Sequence, residues 1–208
     1  MCQRKIVQSY RSLHPNHVHQ LTVSVSKHYW VTKDGTIKFQ SKAIEMNLDK
    51  LSDSNKNHLI HYVIRDHFSG VVYSEIATSA SIIPVEQFLF RAWSQKDGFV
   101  FCGIPDLLTI PKTVEKKFPQ IKEKVSLLGV QFPQVTSGFQ SGVRDVKTLE
   151  EYMKFYIEMS FKDVFERINK TYVFPSTMDA RVGKQTKLEF WRKHIESVKL
   201  PPEVWLNI

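Results

Sequence analysis

The sequence predicts an α/β fold, a central mixed sheet of five strands flanked by helices, on three observations. A long alternating run occupies residues 18–31. A tight hairpin follows over 58–77. Past Pro84, short apolar strands alternate with segments of near-3.6 periodicity. In the run VHQLTVSVSKHYWV, Leu21, Val23 and Val25 alternate with Gln20, Thr22, Ser24 and Ser26, the signature of a strand with one apolar face. Asp34-Gly35 closes it with a turn, and TIKFQSKA, from Thr36, can form a further strand before the polar SDSNKN loop. LIHYVIR and VVYSEIA are joined by Asp66-His67-Phe68-Ser69-Gly70 and read as a hairpin. Pro84 opens a helix reaching Trp93, and LLTI makes a short strand. Thr113 to Leu128 reads as a helix interrupted near Pro119 and closed by Gly129, before a last short strand at Val130-Gln131-Phe132. From Asp145 to Ile168 the apolar spacing predicts the longest helix, and Lys187 to Val198 one more. The expected organisation is an N-terminal arm over 1–14, a core domain over 15–170 and a C-terminal helical extension over 171–208.

A chain of 208 residues with 42% hydrophobic content can bury one core, so one principal domain is expected. Lys and Arg number 29 against 21 Asp and Glu, a formal charge of +8, which favours a polyanionic partner such as nucleic acid. Cys2 and Cys102 alone make neither a disulfide framework nor a zinc knuckle, and fit a reducing compartment, cytoplasmic or, in a eukaryote, nuclear. No apolar run approaches a membrane span, so no membrane partner is expected.

Several segments, in order, resemble the integrase catalytic core of DDE transposases and retroelements, an RNase H-like fold. Pro15-Asn16-His17-Val18-His19-Gln20-Leu21-Thr22 is similar to that family's opening PN-x-V-W-Q-x-D, and Tyr62 to Gly70 to its V-x-I-D-x-F-S-R hairpin. Gly103-Ile104-Pro105-Asp106-Leu107-Leu108-Thr109-Ile110-Pro111-Lys112 resembles G-x-P-x-x-L-x-T-D-N-G, and Ser141-Gly142-Val143-Arg144-Asp145 the opening of the long helix. Val182 to Trp191 looks like the G-x-T-P-x-E-x-W ending. Through two Asp and one Glu, the family holds two divalent cations about 4 Å apart for phosphodiester cleavage and strand transfer. By the resemblance, the first acid falls on Thr22, the second on Ile110 and the third on Asp145; an alternative register puts Asn47 first. A hydroxyl is a weak ligand for a hard cation and isoleucine is none, so no metal, no cofactor and no catalysis are expected.

Other constellations have plainer readings. Asp66 and Asp106 flank strands but do not match ligand positions, and His14, His17 and His19 lie on an extended arm without a recognised ligand spacing. Asp145 suits a helix N-terminus whether or not it is a retained acid. Lys112, Lys116, Lys117, Arg181, Lys184 and Lys187, interleaved with aromatics, are the residues expected to contact a phosphate backbone. The function expected is that of a catalytically inactive integrase-core-like domain that binds nucleic acid, most simply DNA, or serves a mobile element beside a transposition-related protein or a second copy. The alternatives are an active DNA-processing enzyme with an unorthodox metal site and a protein-interaction module on a repurposed fold.

Overall fold

The computed structural model describes residues 11–134, 143–171, 181–182 and 185–207, with the backbone alone at 52–53, 143–144, 169–171 and 181–182. Strand β1 runs Val18–Val31, the span its alternation predicts. After Gly35 (φ 86°), β2 (Ile37–Phe39) folds back antiparallel on its distal end. A 3-10 turn over Leu48–Asp53 leads into β3 (Asn57–Asp66) and β4 (Val72–Thr78), the expected hairpin. Helix α1 (Val85–Trp93) follows, then β5 (Leu107–Thr109), which pairs parallel with the start of β1. The five-stranded sheet runs β2-β1-β3-β4, with β5 and β2 sharing the edge of β1 opposite β3.

Alternation gives the sheet two unlike faces. Leu21, Val23, Ile60, Tyr62, Ile64 and Tyr73 bury against α1 in the main core, which Trp93, Phe88 and Phe101 fill. The other face of β1 carries Gln20, Thr22, Ser24 and Ser26. Helices α4 (Val143–Tyr152) and α5 (Phe161–Thr171) cover that side of the sheet through smaller clusters around Val63, Val72 and Leu149 and around Tyr29, Ile76 and Met153.

Three expectations need correction. The helix expected from Asp145 to Ile168 is two helices. Met153–Tyr156 tightens to a 3-10 turn and Glu158 enters the left-handed region (φ 67°). The cause is tertiary: Ile37 N–H donates to Met159 O (2.9 Å), Glu158 N–H to Ile37 O (2.8 Å) and Phe161 N–H to Gly35 O (2.8 Å), so the connection caps the open edge of β2. The strand expected at Val130-Gln131-Phe132 is one parallel bridge, Leu107 to Gln131, because Pro133 has no N–H to continue the ladder. The helix expected over Thr113 to Leu128 does divide at Pro119, into α2 (Lys112–Lys117) and α3 (Ile121–Ser126).

The third correction concerns the C-terminal extension. After a short ladder of β6 (Arg181–Val182) and β7 (Gln185–Thr186), α6 (Lys187–His194) starts at a capping box formed by Thr186 and Glu189. Trp191 stacks on Phe101 at 5.5 Å between ring centres, Trp205 packs on Trp93 at 5.9 Å, and the Trp205 indole N–H donates to Lys124 O at 2.7 Å. The described part of 171–208 therefore closes the main core.

Candidate functional site

The described parts of three segments quoted for the integrase-core resemblance, around Asn16, Asp66 and Gly103, meet at one corner of the sheet, where β1 and β5 begin and β3 ends. Asn16, in the left-handed region (φ 63°), is the hub: its N–H donates to Asp66 Oδ1 (2.9 Å) and its Nδ2 to Cys102 O (3.0 Å). Trp93 Nε1 donates to His19 Nδ1 (3.1 Å), which leaves the imidazole proton on Nε2 to be donated to Asn16 Oδ1 (2.9 Å). Asp66 Oδ2 accepts from both the N–H and the hydroxyl of Ser69, at 2.7 and 2.6 Å. A Cβ on Gly103 (φ 102°) would stand 2.3 Å from Asn16 Nδ2, so only glycine admits this approach. This corner is a structural latch. Burial drives His19 down to about 3, and it raises Asp66 to about 6 against the opposing hydrogen bonds from Ser69 and Asn16.

The three acid positions divide between the two faces. Thr22, paired with Val63, faces α4, and Asp145 in the first turn of α4 reaches the same face. There Arg65, the cross-strand partner of Gln20, places Nη1 3.2 and 3.3 Å from the two Asp145 oxygens. Ile110 instead belongs with Leu21, Leu108 and Val114 in the core on the far face, while Thr109 is the β5 residue paired with Gln20. The structure thus brings Thr22 and Asp145 to one side and leaves Ile110 out. Asn47 is exposed, off the sheet, at the start of the 3-10 turn, which corrects the alternative register. The metal pair of the resembling family does not fit these residues, since the one carboxylate of the three is matched by a guanidinium. Asp66 is committed to the latch and Asp106 is exposed beside His14, at 3.6 Å, so neither joins Asp145. Among the described residues no group of three or more His, Cys, Asp or Glu side chains is placed to hold a metal ion, the His14, His17 and His19 set included.

What occupies the polar face of β1 was not foreseen from the sequence. Glu150 Oε1 lies 2.9 Å from Nε2 of the fully buried His61. Burial alone would raise the Glu150 carboxyl; the bond to His61, the charge of that imidazole and the Ser26 hydroxyl outweigh it and hold the carboxyl below its usual range. Beside this pair a cavity of about 610 Å³ opens between β1 and α4, reaching from Thr22 to Phe39 and Lys154. The signal for it was in the sequence, as four polar residues on alternate positions of a strand that a helix must cover.

Of the basic residues expected to contact phosphate, those whose side chains are described divide between α2 and α6. Lys112, Lys116 and Lys117 ride on α2, which packs on the 3-10 turn, and Lys116 stands 3.9 Å from Asp49. Lys187 sits over Gly70 in the β3–β4 turn, with Phe190 of the same helix stacked on Phe68. Arg181 is in β6, its side chain undescribed, and Lys184 lies outside the described residues, as do Ser141 and Gly142 of the quoted helix opening.

An antiparallel β1-β3-β4 meander, a helix, a strand returning parallel beside β1, and helices over both faces make a mixed-sheet α/β architecture, consistent with an RNase H-like fold. Solved structures similar to this chain include two of the HTLV-2 integrase catalytic core domain in complex with magnesium. The trimeric form is 15% identical with a TM-score of 0.46, over 89% of this chain and 100% of that one. The dimeric form is 14% identical with a TM-score of 0.43, over 85% and 96%. No family model matches the sequence, and no curated protein does.

Proposed function

We propose that this chain is a non-catalytic RNase H-like module that binds nucleic acid, as an accessory to a mobile element or as a repurposed descendant of one. The observation that carries the reading is the Arg65–Asp145 ion pair: the one acid at a ligand position is neutralised by a cation from the neighbouring strand. Two divalent ions need several anionic oxygens around them, and Thr22 with a paired Asp145 does not supply them. The net charge of +8 supports attraction to phosphate, and the lysines of α2 and α6 offer separate points of contact. Among the described residues no helix is long and apolar enough to cross a membrane.

The test is to incubate the protein with duplex and single-stranded oligonucleotides in Mg²⁺ or Mn²⁺, following cleavage and joining on gels and binding by anisotropy across a salt series. The expected outcome is binding without turnover, with affinity falling steeply as salt rises, and a weaker, shallower dependence when Lys112, Lys116 and Lys117 are replaced by glutamine. Metal-dependent cleavage lost in Asp145→Ala would overturn the non-catalytic reading. Absence of any salt-sensitive binding at low ionic strength would overturn the nucleic-acid reading in favour of a protein-interaction module.

A further inference from the structure

We propose that the cavity between β1 and α4 is a binding pocket for a nucleoside phosphate, either free or as the terminal nucleotide of a single strand. The proposal deepens the nucleic-acid reading and takes its biological sense from it. At about 610 Å³, the cavity is of the size that encloses small organic ligands. Three features specify the ligand.

The wall is aromatic. Phe39 lines the cavity with 44% of its surface exposed, braced by the Tyr29 ring at 5.5 Å and the His28 ring at 5.7 Å. An exposed phenyl ring on a strand, fixed by two neighbouring rings, is a preorganised stacking platform for a flat heterocycle. The mouth is cationic. Lys27, Lys147 and Lys154 are exposed around it, without an ion-pair partner among the described residues, and Glu151 is the one exposed acid there. A purely apolar ligand would leave these charges unused, and inorganic phosphate would leave the aromatic wall unused. The interior is polar: Thr22, Ser24, Tyr29 and Glu150 line it. Hydroxyls both donate and accept, so such an interior suits the mixed donor and acceptor edge of a nucleobase.

Calorimetric titration with AMP, GMP, CMP and UMP tests this, alongside inorganic phosphate, the unphosphorylated nucleosides and a 5′-phosphorylated single-stranded oligonucleotide. Saturable binding of at least one mononucleotide is expected, tighter than its nucleoside or phosphate. Phe39→Ala, and separately the exposed pair Lys147→Gln with Lys154→Gln, should each weaken it about tenfold, the lysine pair without shifting the thermal midpoint. Competition by the oligonucleotide would identify the strand terminus as the source, and lack of competition the free nucleotide; both uphold the pocket. No saturable mononucleotide binding at millimolar concentration, or binding indifferent to Phe39→Ala and to the lysine pair, would overturn it. Salt-sensitive binding of long strands with no mononucleotide binding would remove the pocket and leave the functional reading standing; the reverse result would do the opposite.

Discussion

His19 and Asp66 sit 3.8 Å apart with no solvent exposure, and burial pulls their proton affinities in opposite directions. His19 titrates near 6.5 unfolded and near 3 folded, so its contribution to stability is full above 6.5 and is lost as pH falls toward 3. Asp66 moves from 3.8 to about 6, so its protonated form favours the fold at low pH and that contribution is lost as pH rises through 6. Between about 4 and 6 the two slopes, each roughly 1.4 kcal/mol per pH unit, cancel. Burial also lowers His17, His58 and His67, so denaturant midpoints should fall as pH drops below about 6.5, gently while the Asp66 slope offsets that of His19. In Asp66→Asn that decline should steepen between about pH 6 and 4; a variant whose decline is no steeper than the wild type's would show that the two groups do not offset each other. The residues of this latch were legible as a pattern resembling a family, but their roles were not. The sequence does not say that Asn16 bonds four partners, nor that Ile110 turns into the core while Thr109 pairs with Gln20.

Among the elements, β1 and the β3–β4 hairpin were readable because strict alternation and a glycine-closed turn leave few other solutions. The break between α4 and α5 was not readable, since apolar periodicity runs straight through it and the interruption comes from hydrogen bonds to β2. The left-handed Glu158 is its local cost, offset in part by an exposed ion pair to Lys38 at 2.6 Å. Glu158→Gly should leave stability unchanged or raise it by up to about 1 kcal/mol; a comparable loss in chemical denaturation would show that Lys38 outweighs the backbone strain. Gly103→Ala should act oppositely. Its methyl would meet Asn16 Nδ2 and a Val198 methyl at 2.3 and 2.9 Å, at a φ that side chains avoid. The expected loss is about 2–3 kcal/mol or more, and a near-wild-type melting temperature would refute the close approach.

On the scale of the whole molecule, the described lysines expected to contact phosphate split between α2, against the 3-10 turn, and α6, against the hairpin tip. Net charge was legible in composition; its division was not, because α6 reaches the hairpin through tertiary contacts, Phe190 and His194 on Phe68 and Lys187 over Gly70. The same tertiary closure makes the C-terminal tryptophans part of the core. Trp205→Ala removes a side chain 1% exposed together with its bond to Lys124, and should cost about 3–5 kcal/mol. A loss under about 1 kcal/mol would mean that the 203–207 turn is merely an appendage.

Trp191 and Trp205 also impose a schedule on biosynthesis. All strands of the main sheet have been made once Thr109 leaves the peptidyl-transferase centre, yet the rings that cover Phe101 and Trp93 follow much later in the chain. At bacterial or eukaryotic elongation rates, that interval is roughly 5 to 20 seconds. Until Trp191 and Trp205 arrive, Phe101 and Trp93 lack the rings that cover them, so a polypeptide truncated before Trp191 should expose that aromatic surface and aggregate more readily than the chain that carries both tryptophans.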